Sequence, residues 1–229
     1  MATQLPLPLP VRPARGREDY FVSQTNAVAV ATIDAWQHWA GGKCALIGPE
    51  GAGKTHLVHV WAGLAGASIT AAADLPQADI PSLSGAPVAV EDVDRIAGDR
   101  AAEEALFHLH NLCLAEGGAL LVTARSDPTH WPLVLPDLAS RMAACQIARL
   151  GDPDDTLLGA LLVKLFADHQ IVPAADVVAY LTKRMPRRYQ AAQDIVERLD
   201  HAALARRCGI TRPLAADVLA EFAARSDTP

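Results

Sequence analysis

Nowhere does the chain carry an apolar stretch near the roughly 18 residues that cross a bilayer, and its first residues show no basic-then-apolar leader. No membrane role is expected. Positive charge is not in excess either: 20 Lys and Arg against 26 Asp and Glu leave a formal net charge of −6. That argues against a protein that coats nucleic acid by bulk electrostatics, while local basic patches stay open. The four cysteines, Cys44, Cys113, Cys145 and Cys208, are scattered, with no Cys-x-x-Cys or metal-ligand spacing. Cys44 and Cys113 lie in apolar runs and read as small buried hydrophobes. Such usage suits a reducing compartment, so the expectation is a soluble cytoplasmic protein. An apolar content of 51% over 229 residues is ample for a core, and the length suits one domain with a smaller appendage.

What is present begins with Gly48-Pro49-Glu50-Gly51-Ala52-Gly53-Lys54-Thr55, a complete Gly-x-x-x-x-Gly-Lys-Thr. The apolar Cys44-Ala45-Leu46-Ile47 precedes it as a strand. A helix follows it through His56, with Leu57, Val60 and Trp61 on one side. Strand, glycine loop and helix together are the setting of a phosphate-binding loop. Glycines let backbone N–H groups converge on an anion, and the helix N-terminus adds partial positive charge. Lys54 is placed to neutralise β- and γ-phosphate oxygens and the Thr55 hydroxyl to bind Mg²⁺. A glycine-rich turn without a ligand is the competing reading, and the complete motif disfavours it.

Within residues 1–17, the run from Thr3 through Gln4 to Pro10 alternates leucine (Leu5, Leu7 and Leu9) with proline. Proline removes donors and fixes φ, so an extended arm is expected. It is either a tail of no consequence or a pre-extended docking peptide that loses little entropy on binding. Tyr20, Phe21 and Val22 precede a helix over 27–39 and either cover an adenine face or pack an edge. A weak strand at 67–70 follows the loop helix. The strand beginning at Pro87 ends in Glu91 and Asp92. By position Glu91 reaches a metal shell and Asp92 orients water, unless the strand simply ends at a polar rim. A helix over 101–116, a strand over 119–123, a short helix over 137–142 and a strand over 146–150 complete the alternation. Thr123 and Arg125 emerge where a residue sensing a γ-phosphate sits. Strands alternating with helices predict an α/β fold, a parallel sheet sandwiched by helices. After Gly151-Asp152-Pro153 the pattern is helix only, at 153–169, 174–185, 187–206 and 213–225, which reads as a small C-terminal helical lid. The boundaries expected are an arm at 1–17, a nucleotide-binding base at 18–150 and a lid at 151–229. Lys183, Arg184, Arg187, Arg188 and Arg198 form either a solvated face or a reach toward the phosphates.

With these residues in hand, the chain resembles the DnaA-related branch of the AAA+ ATPases, P-loop NTPases, and within it the Hda type that regulates DnaA inactivation. The resemblance lies in Gly53-Lys54-Thr55-His56-Leu57-Val58-His59, in Phe107-His108-Leu109-His110-Asn111, in Leu120-Leu121-Val122-Thr123 and in the run from Leu135 to Arg141. It implies ADP or ATP with Mg²⁺ as ligands. Gly48, Pro49, Gly51, Ala52, Gly53, Lys54, Thr55 and His56 would then line the nucleotide with Tyr20, Phe21 and Val22. It likens the arm to a peptide that docks on the DNA polymerase sliding clamp, Gln4 hydrogen-bonding and Leu5, Leu7 and Leu9 filling an apolar pocket. Residues 200–229 leave no room for the helix-turn-helix of DnaA, so no sequence-specific DNA binding is expected. By position Arg141 resembles an arginine finger acting on ATP held by DnaA. A homo-oligomer is also compatible with the resemblance.

The chain departs from the pattern where Glu91 replaces the usual aspartate and where Gln190 replaces the lid's sensor arginine. A neutral amide is no substitute for a charged fork on phosphate, and Arg187, three residues earlier on the same helix face, is the alternative. Arg125 stands where an acid is common. These departures imply weak intrinsic hydrolysis and a nucleotide held as a switch. They leave open a non-catalytic adaptor in which nucleotide only orders the lid.

Overall fold

The structure, a computed structural model, describes residues 21–226. The arm residues Gln4, Leu5, Leu7 and Leu9, and Tyr20, lie outside the described residues.

Five strands form one sheet: Lys43–Ile47 (β1), Ser68–Ala71 (β2), Val88–Glu91 (β3), Leu120–Ala124 (β4) and Gln146–Arg149 (β5). Their order is β2-β3-β4-β1-β5 and every pairing is parallel, with Ala45 opposite Val122 and Ile147. The strands read as near-continuous apolar runs because both faces are covered. Alternate side chains go to opposite faces. Ala45, Ile47, Val88, Val90, Leu120 and Val122 pack with Leu106, Leu109 and Cys113 of helix α4 (Arg100–Ala115) and with Leu138 and Met142 of α5 (Pro136–Ala143). Cys44, Leu46, Ala89, Leu121 and Ala148 pack with Ile33 of α1 (Ala27–Asp34) and with Leu57 and Trp61 of α2 (Lys54–Ala65). From β1 the chain travels to the far edge, returns through β3 and β4, and ends on β1's other side. That reversal opens a crevice at the carboxyl end of β1, where ligands bind in open α/β sheets.

α1 is shorter than the 27–39 expected and is followed by single 3-10 turns at Trp36–His38 and Ala40–Gly42. The cause is Trp39. Its indole Nε1 donates to the Thr32 carbonyl at 2.7 Å and its ring stacks on Trp61 with centroids 5.4 Å apart. An aromatic that gains more by turning inward ends the helix early. α3 is a short piece at Ile80–Ser84.

The lid is four helices, α6 (Asp155–Asp168), α7 (Ala175–Thr182), α8 (Tyr189–Arg206) and α9 (Arg212–Ser226). They enclose their own core of Leu158, Leu162, Phe166, Val177, Ile195 and Leu199 among others. α6 starts on the Asp154 side chain, which accepts the Leu157 N–H at 2.7 Å, an N-cap that ends the run of loop after β5. Among the described residues no helix is long and apolar enough to cross a membrane.

Candidate functional site

The glycine loop lies between β1 and α2, as the motif requires. Gly48 is forced by packing: a Cβ there would come within 2.6 Å of the Leu150 carbonyl oxygen. Its N–H donates to the Ala124 carbonyl at 3.2 Å, which ties the loop to the end of β4. α2 begins at Gly53 without any side-chain cap, so its first-turn N–H groups are free of competing carboxylates and suit an anion. Lys54 is buried, and its Nζ donates to the Gly48 and Pro49 carbonyls at 2.7 and 2.9 Å. Burial lowers its pKa, against the attraction of Asp92 and Asp94, and Arg125 lowers it further. The ammonium is thus held in the loop by carbonyls, the kind of partner that phosphate oxygens replace at little cost.

A cavity of about 810 Å³ opens over the loop, a size that suits a mononucleotide. It is lined by Gly51, Gly53, Lys54, Thr55 and His56 from the loop and α2, by Asp92, Arg95 and Arg125 from the ends of β3 and β4, by Leu157 and Leu161 from α6, and by Tyr189 and Gln190 from α8. Phe21 and Val22 line it too, each over 40% exposed at 45% and 41%. They also edge a second cavity with Asp154, Asp155 and Arg187.

The acids at the end of β3 divide. Glu91, half-buried, does not line the cavity, whereas Asp92 does. Asp92 sits at φ 58°, a left-handed conformation that an aspartate adopts at a cost of ~1 kcal/mol. It is held there by its N–H on Thr123 Oγ1 at 3.0 Å and by an ion pair to Arg95 at 3.3 Å. Thr123 therefore positions Asp92. Asp94 was not expected from the sequence. Its Oδ2 accepts the Arg125 N–H at 3.1 Å, while Oδ1 is buried without a partner among the described residues. Oxygen donors from Thr55 and Asp92 suit Mg²⁺. No group of three or more His, Cys, Asp or Glu is arranged for a metal among the described residues, so phosphate oxygens and water would complete the shell.

The lid touches the loop directly. The Tyr189 N–H donates to the Gly51 carbonyl at 2.9 Å, and the Tyr189 ring lies 3.4 Å from where a Cβ on Gly53 would be. Burial, with Asp154 nearby, pushes the Tyr189 phenol up to about 12, so it stays a hydrogen-bond donor. Nothing in the sequence marked Tyr189. Neither of the two lid positions singled out reaches the loop with a free charge. The Gln190 amide donates to Asp194 at 2.8 Å, and Arg187 pairs with Asp155 at 2.6 Å beside the second cavity.

Arg141 is elsewhere. It is exposed near the end of α5, does not line the cavity, and lays its guanidinium over the Phe107 ring at 5.0 Å. Its carbonyl accepts from Lys43 Nζ at 2.8 Å, and that ammonium is 3.3 Å from His110 Nε2.

The five-stranded parallel sheet in this order, the loop at the crevice and the helical lid define the fold as that of the AAA+ NTPases. Solved structures with the same architecture include domain III of the replication initiation protein DnaA from Thermotoga maritima. It has a TM-score of 0.77 at 15% identity, with 93% of this chain and 99% of that one covered. The replication initiator DnaA bound to AMPPCP and single-stranded DNA aligns at a TM-score of 0.67 and 15% identity over 86% of this chain and 69% of its own. The Thermotoga maritima RuvB Holliday junction branch migration motor aligns at 0.69 and 19% identity over 91% and 72%. No protein-family model matches the chain.

Proposed function

We propose that this chain is a nucleotide-binding regulator of chromosomal replication initiation, of the Hda type, acting on ATP held by DnaA. ADP or ATP occupies the cavity over the loop. The backbone of residues 48–55 cradles the phosphates, Lys54 passes from loop carbonyls to phosphate oxygens, and Phe21 and Val22 cover the base. Mg²⁺, when bound through Thr55 and Asp92, neutralises charge on the phosphate oxygens. Residues 4–9 dock on the sliding clamp, Gln4 by hydrogen bond and Leu5, Leu7 and Leu9 by burial.

The observation that carries this reading is the placement of Arg141. It is exposed, spread on Phe107 and absent from the chain's own cavity. A guanidinium so presented is available to a nucleotide on another molecule, where it would stabilise transition-state charge by a factor of ~10³–10⁵. The decisive experiment is single-turnover hydrolysis of ATP pre-bound to DnaA, with clamp loaded on DNA. Stimulation by the wild type, lost in Arg141→Ala and in a variant without residues 1–10, supports the proposal. Equal stimulation by Arg141→Ala would refute the finger.

A second reading is a non-catalytic adaptor. It is favoured by the engagement of Gln190 with Asp194 and of Arg187 with Asp155, and by Glu91 lying off the cavity. Clamp binding that persists without any stimulation of hydrolysis would support it.

A further inference from the structure

Two arginines of the lid are neutralised within it, Arg187 by Asp155 and Arg206 by Asp217. Lys183, Arg184 and Arg212 are exposed and pair with no carboxylate among the described residues. What gathers them is Tyr180. Arg184 Cζ stands 4.3 Å and Arg212 Cζ 5.1 Å from its ring centroid. The local chain explains the grouping. Tyr180 lies near the end of α7, Lys183 keeps right-handed helical angles, and the Arg184 N–H reaches the Leu181 carbonyl at 2.9 Å, so the helical turn runs on. Tyr180, Lys183 and Arg184 therefore share a face. Arg212 arrives as the first residue of α9, which Leu214 and Ala215 anchor in the lid core. The acid on the same face of α7, Asp176, stands a turn away in the first turn of the helix, where it complements the helix dipole.

We infer that Tyr180, Lys183, Arg184 and Arg212 form a docking surface for the phosphate backbone of double-stranded DNA, engaged without regard to sequence. A guanidinium held over a ring is fixed through its face and keeps its N–H donors, which lie in its plane, for an outside acceptor. Those donors match phosphate oxygens in pairs. Two guanidiniums at one ring are also like charges brought together, and a polyanion set against them relieves the repulsion. Stacked single-stranded bases are not accommodated, because the Tyr180 ring already carries cations where a base would lie. An acidic protein fits less well: the cluster holds no exposed large apolar side chain to form the centre of a protein interface. Contacts to phosphate alone carry no sequence information, and with a net charge of −6 the rest of the chain adds no attraction. Binding is therefore weak, local and salt-sensitive. None of these residues lines either cavity, so the surface stands or falls independently of the nucleotide and of Arg141.

The test is fluorescence anisotropy of labelled DNA duplexes of two unrelated sequences, titrated with the full chain. Both duplexes should bind alike. Three phosphate contacts give a slope of about −2.7 in log affinity against log salt, so affinity falls about fortyfold between ~50 and ~200 mM salt. Arg184→Ala and Arg212→Ala each reduce the slope to about −1.8, and the double variant to about −0.9. Tyr180→Leu, which loosens both guanidiniums, weakens binding several-fold, whereas Tyr180→Phe, which keeps the ring, binds as the wild type does. A double variant, folded by circular dichroism, that keeps the wild-type slope would put the DNA elsewhere on the chain and overturn the inference. Tighter binding of a single strand than of the duplex, lost in Tyr180→Leu, would overturn it by assigning the ring to base stacking. A wild type that binds polyglutamate and no duplex would overturn it in favour of an acidic protein, and one that binds none of these at the lower salt would remove the surface altogether.

Discussion

Glu103 is fully buried on α4, where a carboxylate survives only if its oxygens are occupied. They are: Oε1 accepts the Gly98 and Val134 N–H groups at 2.8 and 3.1 Å, and Oε2 accepts the Leu135 N–H at 2.8 Å. One side chain thus joins the turn before α4 to the loop that launches α5, the helix that carries Arg141. Glu103→Ala removes the common acceptor of three part-buried hydrogen bonds and should cost about 2–3 kcal/mol in urea unfolding. Glu103→Gln should cost less, because one carbonyl oxygen remains. Both should also weaken any effect that depends on Arg141, with nucleotide binding less affected. A Glu103→Ala protein as stable as the wild type would mean the loop finds other acceptors. An acid in the first turn of a helix gives no hint of this role, since the same residue serves there as an exposed partner of the helix dipole.

The lid helix α8 meets the glycine loop through backbone rather than side chain, and that decides what could be read in advance. The strands, the loop and the four lid helices were legible because apolar periodicity and glycine spacing follow from burial and from φ. The start of α8 at Tyr189 rather than at 187, and its seat on Gly51, were not, because the bond is donated by an N–H that almost every residue type carries. The early end of α1 was hidden for a related reason: it depends on Trp61, a partner on another helix. Seating is testable at Gly51. This residue has φ 74°, and a Cβ there would lie 3.3 Å from both Cβ and N of Gln190. Gly51→Ala meets backbone strain and the neighbour together, so α8 must lift. The expected result is a loss of about 1–2 kcal/mol and faster amide exchange at the start of α8, with the core of the sheet still protected. Unchanged exchange there would show that the lid does not depend on the loop for its position.

Lys43 begins β1 and Ile47 ends it, so the cavity and the Arg141 face stand at opposite ends of the sheet. A five-residue strand spans roughly 13 Å at 3.3 Å per step, and an arginine at one end cannot serve the cavity at the other. The remote face has its own titratable centre. His110, 2% exposed, accepts from Lys43 at Nε2, and its Nδ1 lies 3.2 Å from Asn111 Oδ1. Burial is the main reason its pKa falls below the ordinary 6.5; Asn111 opposes this, while Lys43 and Arg141 add to it. The folded state therefore favours the neutral ring. The unfolded chain takes up the proton as pH drops through 6.5 and the folded protein does not, so this contribution is present above that pH and is lost progressively below it. His110→Gln keeps a polar side chain and removes the titration. Urea unfolding at about pH 7 and about pH 5.5 should show a smaller loss of stability in the variant than in the wild type. Protonating His110 would also set it against Lys43, whose ammonium holds the Arg141 carbonyl, so Arg141-dependent stimulation should fall over the same range in the wild type and less in His110→Gln. Parallel pH profiles for the two proteins would mean that His110 takes its proton as freely in the fold as outside it, and that the far face of the sheet is not coupled to pH through this side chain.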